Sequence, residues 1–155
     1  MRLTTKGRYA VTAMLDISLH ADEAPVSVLE ISVRQNISPA YLEQIVGKLK
    51  RCGLLNSTRG PGGGYVLGLS ADDITVSTIV ASIGEGVDAT RCGGKADCNE
   101  GHMCSTHNLW VDLSAQIDGF LQGITLASLM QRHLAERARG DSDKSQELIA
   151  ATQLG

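Results

Sequence analysis

Three cysteines and one histidine follow one another closely in the second half of the sequence: Cys92, Cys98, Cys104 and His107. Thiolates are soft ligands and imidazole is borderline, so this set suits zinc, copper(I) or an iron–sulfur cluster. Structural zinc sites mostly use cysteines separated by about two to four residues, whereas five residues separate each of these cysteines from the next. Three cysteines are an odd number for disulfides, and four ligands are enough for a two-iron cluster. The spacing therefore favours a cluster, with a zinc site and incidental thiols as the alternatives.

The fourth ligand has two candidates, His102 and His107. We prefer His107 because it would lie one turn after Cys104, on the same face of a predicted helix. Residues 85–107 are interpreted as a cluster-binding loop, since they are rich in glycine and polar residues. A compact domain rarely leaves so long a stretch without regular structure unless the stretch has a function.

A long helix is predicted to follow this loop, from residue 105 or 106 to about residue 122. Its apolar residues recur at spacings of three and four, the pattern of a helix packed along a partner helix: Trp110, Leu113, Ile117, Phe120 and Ile124. An intramolecular core is the alternative, but the first part of the chain has little surface left to cover such a stripe. We therefore expect a two-fold dimer seam within residues 105–139, which also contain a last helix ending near Arg139. Residues 140–155 are polar and are expected to form a flexible tail.

The first part of the sequence has the pattern of a helix-turn-helix. Apolar residues on one stripe predict a first helix over residues 5–20. Ser27 and Glu30 form a capping box that starts a second, short helix. Pro39 opens a third helix, which ends in basic residues before Gly53. Two short helices joined by a tight turn, the second of them basic at its end, are typical of a DNA-binding helix-turn-helix.

One face of the third helix groups side chains that can read base edges: Ala40, Tyr41, Glu43, Gln44 and Lys48. Glutamine can pair with adenine through two hydrogen bonds, and a carboxylate can accept one from cytosine. An ordinary solvated helix face is the alternative.

A glycine-rich turn, Arg-Gly-Pro-Gly-Gly-Gly at residues 59–64, separates two short predicted strands. We interpret it as the tip of a β-hairpin, the wing of a winged helix-turn-helix. Arg59 at the base of the tip can enter a minor groove, where narrow A·T-rich segments concentrate negative potential. A phosphate-binding loop is disfavoured because no Lys-Ser/Thr pair follows and no helix opens after the glycines.

Charge is distributed unevenly over the 155 residues. The formal net charge is −3, but residues 1–70 contribute +3 and the remainder −6. This asymmetry agrees with a DNA-binding module, assigned to residues 1–84, joined to an acidic second half. No apolar run approaches the roughly 20 residues that cross a bilayer, and the N-terminus lacks the apolar stretch of a secretory signal. We expect a cytoplasmic protein without a membrane partner, mainly α-helical with a small β-hairpin wing.

Three segments of the sequence, together with the candidate ligands, resemble those of a known protein family. The segments are MRLTTKGRYAV at residues 1–11, SPAYLEQ at residues 38–44 and RGPGGGY at residues 59–65. With the cysteines and His107 they resemble the iron–sulfur cluster regulators of a wider bacterial family of winged-helix redox repressors. The resemblance implies a homodimeric transcription factor, not an enzyme, that binds one [2Fe-2S] cluster per subunit through Cys92, Cys98, Cys104 and His107. It also implies repression of cluster-assembly genes by the loaded protein and regulation of other promoters by the cluster-free protein, with cluster-assembly proteins as the source of the cluster.

Two alternatives stand beside this interpretation. Within the family, a nitric-oxide-sensing repressor with similarly spaced cysteines would hold a [4Fe-4S] cluster, although a histidine three residues after Cys104 favours [2Fe-2S]. From a different class, the cysteine loop would belong to a zinc-structured or electron-transfer module.

The expected partner is double-stranded promoter DNA. The residues expected to contact it are Arg2, Thr4, Lys6, Ser38, Ala40, Tyr41, Glu43, Gln44, Lys48, Arg59 and Gly60. Among them Glu43 is expected to discriminate between operators, because a carboxylate repels phosphate and tolerates only certain bases.

Overall fold

The computed structural model describes residues 4–22 and 24–152, with side chains as far as residue 140. Its elements are α1 Thr5–His20, α2 Val28–Gln35, α3 Pro39–Arg51, β1 Leu55–Thr58, β2 Gly64–Leu67, α4 Val76–Ser82, α5 His107–Gln122 and α6 Leu126–Thr152. The expected fold class, mainly α-helical with a small hairpin, is confirmed. Over this described part of the chain, no helix is long and apolar enough to cross a membrane.

Local sequence signals account for the limits of the first three helices. The Thr4 hydroxyl accepts a hydrogen bond of 3.2 Å from a backbone N–H in the first turn of α1. Ser27 and Glu30 form the expected capping box at the start of α2. Asn36 ends α2 in a left-handed conformation (φ 53°) and so makes the tight turn into α3. Pro39 occupies the first position of α3, where its missing N–H costs nothing.

One aliphatic core joins the first three helices, the hairpin and α4. Its fully buried large side chains include Met14, Ile17, Ile31, Leu42, Ile45, Leu49, Leu55, Ile74, Ile79 and Leu126. Burial of each such side chain stabilises the fold by roughly 1.5–3 kcal/mol. Since Leu126 is the first residue of α6, the last helix begins inside this same core.

The two strands form the antiparallel hairpin that the sequence predicts. Leu55 pairs with Leu67 at the base of the hairpin. Val26, in the segment before α2, adds a bridge to Tyr65 through two backbone hydrogen bonds of 2.8 and 2.9 Å. The hairpin is therefore tied to the helices on one side, while residues 59–62 at its tip are exposed.

An ion pair between a buried carboxylate and a partly exposed arginine fixes α2 against α1. The side chain of Asp16 is inaccessible to solvent and accepts hydrogen bonds from Arg34 Nη2 (2.7 Å), Arg34 Nε (3.1 Å) and Gln35 Nε2 (2.7 Å). The hydrogen bond to Asp16, together with its charge, raises the pKa of Arg34 above its usual value. These charge-assisted bonds hold the two helices in one relative position.

Replacing Arg34 by methionine is expected to lower the free energy of unfolding by about 3 kcal/mol, because the Asp16 carboxylate would stay buried with its main partner gone. Chemical denaturation followed by circular dichroism measures the change. The exposed Arg132 of α6 supplies the matched control, Arg132→Met, whose effect should stay within about 0.5 kcal/mol. Equal stability of the two variants would contradict the structural role of the ion pair.

The second half of the molecule is joined to the first through α4. Ser77 Oγ on α4 donates a hydrogen bond of 2.7 Å to the Asp118 carboxylate on α5. The Val76 N–H donates to the Ile124 carbonyl (2.9 Å), which brings the start of α4 to the turn between α5 and α6. The position of α5 is therefore linked to that of α4.

The last helix differs from its expected length. We predicted an end near Arg139 and a flexible tail over residues 140–155, but α6 continues to Thr152. The expected end is wrong because the single Gly140 costs a helix only about 1 kcal/mol relative to alanine, and the residues after it include the good helix formers Lys, Gln, Glu, Leu and Ala. Residues 153–155 lie outside the described residues.

Candidate metal centre and nucleic-acid interface

The candidate metal centre lies between the loop that follows α4 and the first turn of α5. The Sγ atoms of Cys92 and Cys98 are 3.5 and 3.7 Å from His107 Nδ1. These three possible ligand atoms all lie within 4.8 Å of one another. His107 is buried, with 7% of its surface exposed, and it is the first residue of α5. The structure therefore brings three of the four expected ligands together.

Cys104 lies beside this group. Its backbone N–H donates a hydrogen bond of 3.1 Å to Cys98 Sγ, while its own thiol is 3.7 Å from the Thr106 hydroxyl. Cys98, Cys104 and His107 line one cavity of about 320 Å³. His102, the alternative fourth ligand, is exposed and is not a member of the converging group.

Hydrogen bonds give the three thiols different acidities. Burial acts to raise the pKa of Cys92, but hydrogen bonds from the loop, led by that of the Ala96 backbone, outweigh it, and the pKa lies below its usual value. The pKa of Cys104 is lowered chiefly by its hydrogen bond with Cys98. The same contact raises the pKa of Cys98. Since the thiolate is the form that binds metals, Cys92 and Cys104 are biased toward ligation.

Residues that the sequence analysis missed hold the loop in place. The Asp88 carboxylate accepts hydrogen bonds from the Thr90 N–H (2.7 Å) and hydroxyl (2.6 Å), which lower the pKa of Asp88. The Thr90 hydroxyl in turn accepts from the Gly94 N–H (2.7 Å). The Ala89 N–H donates to Ser114 Oγ (2.8 Å) and so attaches the loop to α5. The Asp-x-Thr order, typical of a local side-chain turn, was the signal that could have indicated this role.

The donor set fits a soft-metal group. Two thiols and an imidazole converge, a third thiol stands at the wall of the same cavity, and such ligands suit iron–sulfur clusters or zinc. The cavity volume leaves room for a group larger than a single ion.

The expected DNA-reading residues lie at the surface of α3, at the start of α1 and at the wing. Ser38, Ala40, Glu43, Gln44, Arg59 and Gly60 are exposed, while Thr4, Lys6, Tyr41 and Lys48 are half-buried. Arg2 lies outside the described residues. The Tyr41 ring packs edge-on against Tyr9, with centroids 5.7 Å apart, which ties this face of α3 to α1.

Lys48 reaches from α3 to the end of α4. Its Nζ donates a hydrogen bond of 2.9 Å to the Ile83 carbonyl. The nearby Lys6 ammonium lowers the pKa of Lys48. Glu85, which contacts the Thr4 hydroxyl, belongs to the same neighbourhood and was not expected, because nothing local in the sequence links residue 85 to α1.

The residues of the expected seam form an incompletely covered apolar stripe on α5 and, with Ile124, in the turn that follows it. Trp110 and Leu113 are each 39% exposed and Phe120 is 66% exposed, while Ile117 and Ile124 are half-buried. Among the described elements, α5 packs chiefly on α4. The opposite side of the helix is therefore left accessible.

Comparison with known proteins assigns the chain to a family. Residues 3–132 match the family described as "Rrf2: Iron-dependent Transcriptional regulator". The chain belongs to the Rrf2 family. This Rrf2 protein is 54% identical over 144 residues to the HTH-type transcriptional regulator IscR of Photobacterium profundum, a match that covers 93% of this chain and 84% of the relative.

Solved structures agree with the Rrf2 assignment. The structure of T. potens IscR is 34% identical with a TM-score of 0.71, over 86% of this chain and 88% of that one. CymR, the global cysteine regulator of B. subtilis, is 31% identical with a TM-score of 0.74, over 85% and 98%. The chain is thus a DNA-binding transcriptional regulator and not an enzyme, as expected. The IscR relatives and the converging thiols and imidazole point to metal or iron–sulfur binding.

Proposed function

We propose that this Rrf2 protein is a regulator that senses iron–sulfur clusters and holds a [2Fe-2S] cluster through Cys92, Cys98, Cys104 and His107. The observation that supports this proposal is the convergence of two thiols and one imidazole within 4.8 Å, with the third thiol beside them. A bound cluster would supply an inorganic redox centre whose potential depends on its ligands and solvent exposure. In this proposal the loaded protein represses cluster-assembly genes, the cluster-free protein regulates other promoters, and cytoplasmic cluster-assembly proteins supply the cluster.

A short route of contacts joins the ligand loop, residues 85–106 between α4 and α5, to α3. His107 begins α5, and the bond between Asp118 and Ser77 fixes α5 against α4. Lys48 of α3 then reaches the end of α4 at the Ile83 carbonyl. A change in the position of His107 can therefore change the position of α3. Through this route the metal centre and the DNA-binding surface would be coupled.

The functional unit in this proposal is a two-fold homodimer. Exposed apolar patches on a folded chain mark sites of association, and the stripe on α5 has the a/d spacing of helices that pack along each other. A two-fold axis would bring each stripe against its copy and present two copies of α3 to successive half-sites on double-stranded DNA.

The proposal is tested by loading the protein anaerobically and measuring iron, sulfide and zinc together with the visible absorption spectrum. We expect about two iron and two sulfide ions per subunit. Duplexes selected in vitro by the loaded protein and by the stripped protein are then titrated with both forms. Affinities that differ between the two forms by roughly fivefold or more would support cluster sensing. Zinc without iron, or equal affinities for every selected duplex, would contradict it.

Arg59→Ala is expected to weaken DNA binding by about 1–3 kcal/mol, because the exposed guanidinium at the wing would no longer enter the minor groove. Fluorescence anisotropy titration at fixed salt measures the loss. The control Arg132→Ala removes an equal charge from an exposed position on α6. If both variants lose the same small amount of DNA-binding free energy, the wing is not part of the contact surface.

Glu43→Ala is expected to change the ratio of affinities for two classes of selected operator, because loss of the exposed carboxylate removes both its attraction to cytosine and its repulsion of phosphate. Competition titrations at fixed salt give this ratio. The exposed Asp73 provides the control Asp73→Ala, which should alter both affinities equally. An unchanged ratio of affinities for Glu43→Ala would show that Glu43 does not discriminate between the two classes of operator.

A further inference from the structure

A carboxylate from the ligand loop lies among the residues that we place at the DNA surface. Glu85 follows α4 closely and lies seven positions before Cys92. Its Oε1 accepts a hydrogen bond from the hydroxyl of Thr4, the residue that caps α1. Its Oε2 is buried and has no hydrogen-bond partner among the described residues. Glu85 thus holds one bond to α1 and leaves its other oxygen unsatisfied.

Two lysines complete this group. Lys6 and Lys48 are close enough for the Lys6 ammonium to lower the pKa of Lys48, and the charge of Glu85 acts in the opposite direction. Lys48 Nζ is also held at the Ile83 carbonyl, two residues before Glu85. We name Thr4, Lys6, Lys48 and Glu85 the junction cluster, since it joins the starts of α1 and of the ligand loop to α3.

The junction cluster has the donors of a phosphate site and an anionic group, Glu85, bound to one of them, the Thr4 hydroxyl. A hydroxyl and two ammonium groups are the donors that proteins direct at DNA phosphates, and the carboxylate of Glu85 offers the negative charge and acceptor oxygens that a phosphate would bring. A phosphate bound by these donors would meet the Glu85 carboxylate at the Thr4 hydroxyl, where the two negative charges would repel each other.

Within residues 4–22 and 24–152, the Glu85 carboxylate has one bonded oxygen and one oxygen without a partner. A buried acceptor without a partner carries an uncompensated desolvation cost, in contrast to Asp16, whose carboxylate accepts from two side chains. Gly84, with φ +80°, and Gly86 flank Glu85, and between Glu85 and Cys92 the chain forms neither helix nor strand. The carboxylate can therefore leave without breaking an element of the fold.

We propose that Glu85 is an internal competitor for a DNA phosphate at Thr4, Lys6 and Lys48, and that the arrangement of the ligand loop controls whether it occupies this position. The inference rests on the proposed function and on the expectation from the sequence that these three residues contact the DNA. It adds a second connection between the loop and the interface, made by charge rather than by helix packing.

The test uses iron-free protein and a fluorescently labelled mixed-sequence duplex of about three helical turns, since phosphate contacts do not depend on sequence. Glu85→Gln keeps the shape of the side chain and removes its charge. Glu100→Gln removes one charge from an exposed position of the same loop and so controls for net charge. Lys48→Gln is measured alone and combined with Glu85→Gln, and circular dichroism verifies that each variant is folded.

We expect Glu85→Gln to bind the duplex about fivefold more tightly than the parent, with a salt dependence steeper by up to about one counterion, and Glu100→Gln to change affinity by less than about twofold. In the Lys48→Gln background the gain from Glu85→Gln should shrink. Binding by Glu85→Gln that is no tighter than that of Glu100→Gln overturns the inference, provided that Lys48→Gln weakens binding. If Lys48→Gln leaves affinity and salt dependence unchanged, the assigned DNA interface is itself wrong at this position, and the inference fails with it.

Discussion

Cys92→Ala is expected to abolish the visible absorbance of the anaerobically loaded protein and to reduce its bound iron to background. The Cys92 thiol lies 3.5 Å from His107 Nδ1 and is one of the two thiols in the converging group. Loss of one of the four proposed ligands would open the site, because metal affinity depends on every deprotonated donor. The variant should remain a folded dimer, since Cys92 is only half-buried and lies outside the aliphatic core.

Cys52→Ala is the matched control for this experiment. Cys52 is exposed, and its thiol contacts only the Ser82 carbonyl, at 3.5 Å, among the described residues. It should keep the full absorbance and iron content of the parent. The difference in DNA affinity between loaded and stripped protein should vanish in Cys92→Ala and persist in Cys52→Ala. Full absorbance in Cys92→Ala would show that Cys92 is not a ligand and that the ligand set lies elsewhere in the chain.

Phe120→Asp is expected to convert the protein from a dimer to a monomer and to lower operator affinity by about 100-fold or more, because two half-sites bound together gain by effective concentration. Phe120 is 66% exposed on the stripe of α5. In a two-fold seam the substitution would replace two apolar rings, one from each copy, by two carboxylates at the same interface. Sedimentation equilibrium gives the oligomeric state, and anisotropy titration gives the affinity.

Leu29→Asp provides the control, because Leu29 is also 66% exposed but lies on α2. It should leave the oligomeric state unchanged. A dimer that survives Phe120→Asp with the parent's association constant would show that α5 is not the seam. A parent protein that sediments as a monomer would contradict the proposed dimer directly.

Much of the architecture follows from short-range patterns. The Ser27–Glu30 capping box, Pro39 at the start of α3 and the glycine-rich turn between the strands each predicted an element that the structure contains. These signals are reliable because each depends on hydrogen bonds or dihedral angles within a few residues. The end of α6 was predicted wrongly for the same reason: Gly140 is a local stop signal, yet one glycine costs less than the surrounding helix formers contribute.

Part of the ligand set can also be predicted from short-range patterns. Cysteines and a histidine at regular spacing predict a soft-metal site from the sequence alone, because ligand chemistry depends on residue type. Its distance of one helical turn from Cys104 favoured His107 over His102, but the meeting of His107 with Cys92 and Cys98 depends on how the loop folds back on α5.

Contacts between distant parts of the chain required the folded structure. Asp16 meets Arg34 across two helices, and Glu85 meets Thr4 across 81 positions of sequence. Periodicity and capping indicate which face of an element is apolar and where the element ends. They do not indicate which two elements pack against each other. Which elements pack together depends on the whole core. The placement of the Glu85 carboxylate near Lys6 and Lys48 therefore also depends on the whole core.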